Sequence, residues 1–166
     1  TVDWLFAQLP NYQLQGGSAY TPGLENIKQL LPLTGNPEKG LRFFHVAGTN
    51  GKGPVSNMLA SVMQANGYKT GLFTSPHLHD FRERIRINGE LVTREFVVDF
   101  VARYKDAWQA IQPSFFEITT AMAFEAFRQD QCDICIIETG LGGRLDSTNI
   151  IQPEIAKLRE LMQFVD

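Results

Sequence analysis

Residues 45–56, "HVAGTNGKGPVS", join the end of one apolar run to the start of an amphipathic one. Before the glycines, "LRFFHVA" (41–47) is short and apolar and stops at Gly48, the pattern of a buried strand. Beyond them, "PVSNMLASVMQANG" (54–67) places Val55, Met58, Leu59, Val62 and Met63 at helical spacing and ends at Gly67. "KTGLFT" (69–74) then reads as a second strand. Strand, loop, helix and strand make a βαβ unit, which predicts parallel strands and a right-handed crossover.

The loop itself has the make-up of an anion cradle. Its glycines let the backbone of Gly48, Thr49, Asn50, Gly51, Lys52 and Gly53 curl so that N–H groups face a phosphate, with a helix dipole behind them. Lys52 adds a point charge for the outer phosphates. A strict GxxxxGK[ST] pattern fails twice, because Val46 stands where the first glycine belongs and Gly53 follows the lysine. The plainer alternative is a glycine-rich strand-to-helix turn with an exposed lysine.

Outward from the loop, "RIRINGELV" (84–92) carries Asn88-Gly89 between alternating apolar residues, a hairpin signal. Thr93 is placed to cap a long helix using Phe96, Val97, Phe100, Val101, Tyr104, Trp108 and Ile111. A further helix is predicted over about 115–130, and "DICIIE" (133–138) makes a third central strand. The fold class is α/β: a mostly parallel sheet with flanking helices and a β-hairpin insertion. The three central strands run into the glycine loop, into Thr74-Ser75-Pro76 and into Glu138. Open parallel sheets bind ligands beyond the carboxyl ends of their strands, so these segments converge on one edge. There Ser75 and Glu138 suffice for Mg²⁺, which takes few protein oxygens and completes its shell with phosphates and water. An ion-paired residue at a strand end is the alternative for Glu138.

A chain of 166 residues suits one domain with a sizeable core. The net charge of -3 supplies no global attraction to nucleic acid or to an anionic membrane, so any phosphate site is local. No apolar run approaches a membrane span and no secretory signal begins the sequence, which makes a cytoplasmic location the expectation. Cys132 and Cys135 form a CxxC within a predicted strand, where residues three apart point to opposite faces; two buried structural thiols are expected, the alternative being a redox or zinc pair, which needs both sulfurs to converge. His77 and His79 lack further metal-ligand partners in the sequence and read as solvent-facing or substrate-facing. "RERIR" (82–86) reads as a solvated hairpin face whose Arg82 and Arg84 lie near the edge where an anionic substrate would sit.

Taken together, "HVAGTNGKG", "TSPHL…FRERIRING", "FFEITTAMAF" and "ETGLGGRLDSTN" resemble the folylpolyglutamate synthase / dihydrofolate synthase family of the Mur ligase superfamily, over about residues 24 to 151. The resemblance implies the P-loop-like central domain of an ATP-dependent amide ligase. Such enzymes phosphorylate a folate or pteroate carboxylate and let the amine of L-glutamate attack the acyl phosphate. It implies ATP on Gly48, Thr49, Asn50, Gly51, Lys52 and Gly53, with Lys52 and Glu138 serving the chemistry. Mg²⁺ falls on Ser75 and Glu138, and the folate or dihydropteroate side on Phe116, Glu117, Arg144, Asp146 and Ser147.

Two departures from the family pattern stand out. Pro54 replaces the usual serine, removing a hydroxyl and a backbone N–H together, although proline is well tolerated in a first helical turn. After Asn149 the family's further strands, its later metal-binding histidine, its modified lysine and its C-terminal ligase domain are not seen. The organisation expected is therefore an incomplete ATP-binding domain over 1–151 and a non-family helical tail over 152–166, with Ile155, Leu158, Leu161, Met162 and Val165 at roughly helical spacing. On this reading the chain alone is inactive as a ligase and self-associates through apolar surface left uncovered. The rival reading is a shortened, non-catalytic homologue that binds a nucleotide or a protein partner.

Overall fold

The computed structural model describes residues 23–140 and 144–156. Helix α1 (Glu25–Leu33) precedes strand β1 (Phe43–Val46), helix α2 (Lys52–Ala65) and strand β2 (Thr70–Phe73). A 3₁₀ turn over Phe81–Arg84 leads into strands β3 (Ile85–Ile87) and β4 (Glu90–Leu91), then helices α3 (Arg94–Trp108) and α4 (Phe115–Gln129). Strand β5 (Ile134–Glu138), a 3₁₀ turn over Ser147–Ile150 and the short strand β6 (Ile155–Ala156) follow.

The sheet order is β4-β3-β2-β5-β1-β6. β1, β2, β5 and β6 run parallel, with β5 between β1 and β2. β3 and β4 add antiparallel strands at the other edge, so the hairpin extends the sheet beside β2 and the whole is mixed. The Asn88-Gly89 turn that joins them has φ of 50 and 84, the left-handed pair a tight hairpin requires.

Alternation along β5 decides what each face holds. Cys135 and Ile137 point into the larger core with Phe43, Phe73 and the apolar faces of α1, α3 and α4. Ile134 and Ile136 point the other way, with Val46, Leu72 and Ala60 and the partly buried Val55, Leu59 and Met63 of α2. Met58 and Val62, expected on that inner face, are exposed; Ser56 and Ala60 take the buried positions instead. Gly71 marks a close helix–sheet approach, since a Cβ there would stand 2.6 Å from the Phe127 ring.

Several expectations are corrected. The helical spacing from Ile155 is not followed at its first two residues, which pair with Phe44 and His45 as β6. Glu154 prepares that pairing by donating its N–H to Phe43 O at 3.0 Å and by meeting Arg42 at 2.7 Å. The rest of the predicted tail, 157–166, lies outside the described residues. Cys132 and Cys135 do not face apart, because Cys132 precedes the strand and its N–H is turned onto Phe127 O. Their thiols share a hydrogen bond, which together with burial pushes Cys135 well above the ordinary thiol range. Both are free and buried.

Candidate functional site

The glycine loop meets α2 two residues earlier than the apolar spacing implies. Gly51 is the N-cap with φ 74, a left-handed conformation that favours glycine, and Lys52 opens the helix. Pro54 is therefore the third helical residue. Its nitrogen falls where a helix has no internal acceptor, and the first return bond comes from Val55 N–H to Gly51 O at 3.1 Å. Proline thus costs the helix nothing at this position and removes one of the free donors that would face an anion. Thr49 and Asn50 are exposed, and the Lys52 ammonium donates back to Gly48 O at 3.1 Å.

Three chain segments meet here at the carboxyl edge. Glu138 ends β5 on the α2 side of the sheet and is buried. Its Oε2 accepts the Ser75 N–H at 3.0 Å, which fixes Ser75 beside the carboxylate. Gly53 lies against the same group, since a Cβ on it would stand 3.9 Å from both carboxylate oxygens. Burial raises the Glu138 pKa above the usual carboxylate range, opposed by the Ser75 hydrogen bond and the Lys52 charge. The predicted loop, Ser75 and Glu138 are thus neighbours. Among the described residues no three His, Cys, Asp or Glu side chains form a metal cluster.

The raised pKa carries a stability consequence. The native state favours protonated Glu138, so its contribution is full at low pH and is lost as pH rises from the ordinary glutamate value through the raised one. Glu138→Gln keeps an acceptor for Ser75 without the charge. It should unfold at a higher temperature than the parent near neutral pH, with the gap closing in acid; thermal melts across that range measure it.

The residues assigned to the folate side lie on the opposite face, and they divide. Phe116 is half-buried beside Phe73, with ring centroids 5.8 Å apart, and packs so closely on Gly140 that a Cβ there would sit 2.6 Å from the ring. Glu117 is buried and has a local structural role. It closes a capping box, accepting Ser114 N–H at 2.7 Å while Ser114 Oγ accepts Glu117 N–H at 3.2 Å. Arg144 is exposed, whereas Asp146 and Ser147 are buried, Asp146 as the N-cap of the Ser147–Ile150 turn. Arg84 is not on a solvated face: it is buried, spans the Phe115 ring at 5.1 Å and donates Nε–H to His77 Nδ1 at 2.8 Å. Arg82 pairs with Asp80 within its own turn.

Missed from the sequence were His45 and Thr148. Period-two alternation places His45 on the same face as Phe43, and its Nε2 lies 2.8 Å from Thr148 Oγ1. The signal was available, since a polar residue at an inward strand position needs a partner.

A parallel β1–β5–β2 core with a glycine loop, a lysine and a buried carboxylate at its carboxyl edge has the arrangement of a phosphate-binding α/β domain. No protein-family model matches the chain. It is 46% identical over 139 residues to the dihydrofolate synthase/folylpolyglutamate synthase of Bacillus subtilis, covering 80% of this chain and 32% of that protein. It superposes on the folylpolyglutamate synthase of Thermotoga maritima with a TM-score of 0.80 at 40% identity, covering 92% of this chain and 35% of that one. A bifunctional folylpolyglutamate/dihydrofolate synthase solved with Mn, AMPPNP and L-glutamate gives a TM-score of 0.79 at 33% identity, over 92% and 36% of the two chains. The chain belongs to the folylpolyglutamate synthase / dihydrofolate synthase family. It spans about a third of the length of the relatives it matches.

Proposed function

We propose that this chain supplies the nucleotide-phosphate wall of an ATP-dependent ligase that joins L-glutamate to a folate or pteroate carboxylate through an acyl phosphate. The observation that carries the reading is the meeting of Gly53, Ser75 and Glu138 beside Lys52, brought together by three strand ends. The ligands of solved relatives support it: one holds AMPPCP and folate, another Mn, AMPPNP and L-glutamate.

The residues present fit Mg²⁺. Glu138 is a buried carboxylate whose charge is disfavoured without a cation, Ser75 is tied to it, and glycine at 53 leaves space beside both oxygens. When bound, Mg²⁺ neutralises phosphate charge during γ-phosphoryl transfer. The chain's own part is to align: free N–H groups of Lys52 and Gly53 at the start of α2 face the phosphates, and Lys52 exchanges its Gly48 carbonyl for them. Folate or pteroate would lie on the other face, towards Phe116, Asp146 and Ser147.

Mn²⁺ with ATP provides the test. Paramagnetic broadening of amide signals should concentrate on Gly53, Ser75 and Glu138 and spare Asn88 in the β3–β4 turn. Broadening centred elsewhere would refute the assignment.

A second reading, a homologue that binds nucleotide without ligation, is favoured by one observation. Pro54 stands where a third free N–H of α2 would point at the phosphates.

A further inference from the structure

His45, Thr148 and Asp146 form a buried polar chain on the face opposite the phosphate loop. Their side chains are 8%, 0% and 4% exposed, so every proton in the chain must be placed. Thr148 N–H donates to Asp146 Oδ1 at 2.9 Å, and the Thr148 hydroxyl donates to the same oxygen through a short bond. A threonine hydroxyl has one hydrogen. With that hydrogen committed to Asp146, Thr148 Oγ1 can only accept from His45 Nε2 across their 2.8 Å contact. A neutral imidazole has one N–H, so His45 is the Nε2–H tautomer. Burial lowers the His45 pKa, which keeps the ring neutral, while Asp146 opposes that shift.

We propose that His45 is a positioning residue for the folate-side surface: its Nε2–H holds Thr148 Oγ1, which directs the hydroxyl proton to Asp146 and fixes that carboxylate at the start of the Ser147–Ile150 turn. This rests on the assignment of Asp146 and Ser147 to the folate or pteroate side. The backbone supports the same direction of action. His45 sits on β1, inside the parallel core, whereas Asp146 lies outside the sheet as the N-cap of the Ser147–Ile150 turn. The rigid element therefore orders the loop residue through Thr148.

The test combines a tautomer measurement with ligand selectivity. Nitrogen-15 spectra of the whole chain should show His45 protonated at Nε2; the Nδ1–H tautomer would overturn the inference. His45→Phe should weaken binding of dihydropteroate roughly tenfold, the loss of about one hydrogen bond, and leave Mg·ATP affinity unchanged. His45→Gln, whose amide nitrogen can donate from about the same place, should restore most of the affinity, and Thr148→Val should behave like His45→Phe. If His45→Phe does not fold, the pair Thr148→Val and Thr148→Ser decides, with only the valine expected to weaken binding. Equal loss of both ligands, or no loss of either, would overturn the inference while leaving the proposed function standing. A parent chain that binds Mg·ATP but no dihydropteroate would overturn the folate-side assignment, and this inference with it.

Discussion

Lys52→Ala should weaken Mg·ATP binding by roughly 100-fold, without loss of folded protein. The ammonium lies in the first turn of α2 and, among the described residues, donates to Gly48 O. Its removal therefore takes one hydrogen bond from the loop and no packing from either core. Against that small structural cost stands a charge-assisted contact to the outer phosphates, worth about 1.5–3 kcal/mol, or about 10- to 150-fold in affinity. The loss falls towards the upper end because the lysine charge also opposes that of Glu138, which stays buried in the variant. Titration of a fluorescent ATP analogue, alongside a thermal melt, separates lost binding from lost fold. Parent-like affinity would remove Lys52 from the site.

Pro54→Ser should act in the opposite direction. Serine restores the N–H of the third helical residue and adds a hydroxyl, and neither was available to the helix's own bonding. The N–H alone, facing an anion, is worth roughly 10- to 150-fold in phosphate affinity. Because Pro54 is exposed, the substitution should leave thermal stability within about 0.5 kcal/mol of the parent. Affinity that stays level or falls would mean residue 54 does not face the phosphates. A gain would identify proline as the feature that separates this loop from a tighter nucleotide site.

The β1–α2–β2 unit was legible because its periodicities are pure: an apolar run, glycines, then spacing of three and four. The hairpin was legible from Asn88-Gly89, and the cap of α3 from Thr93, whose Oγ1 accepts Phe96 N–H at 3.1 Å. α1 was missed because Pro32 falls inside its last turn and obscures the helical pattern. β6 was hidden for a different reason. Its residues suit a helical repeat, and only the open edge of β1, a tertiary feature, makes them a strand.

At the site, strand ends announced Ser75 and Glu138, since topology alone brings carboxyl ends together. The capping role of Glu117 was written locally and passed over: Ser114 three residues before Glu117 is a capping-box spacing. The burial of Arg84 and the convergence of Cys132 with Cys135 depend on how loops turn back, and residue spacing does not encode that. His45 lay within the stretch that decided the fold. Its partner is 103 residues away, so its role appears only when β1 and the Ser147–Ile150 turn are seen together.

The central claim is that the carboxyl edge of β1, β2 and β5 holds a magnesium nucleotide between the start of α2 and Glu138. The most direct measurement is a calorimetric titration of ATP into the parent chain with Mg²⁺, repeated with a chelator and with Glu138→Gln. The expected result is saturable one-site binding that weakens sharply when the metal is removed, and Glu138→Gln binding weakly and almost independently of metal. Binding equally tight with and without Mg²⁺, or unchanged by Glu138→Gln, would contradict it.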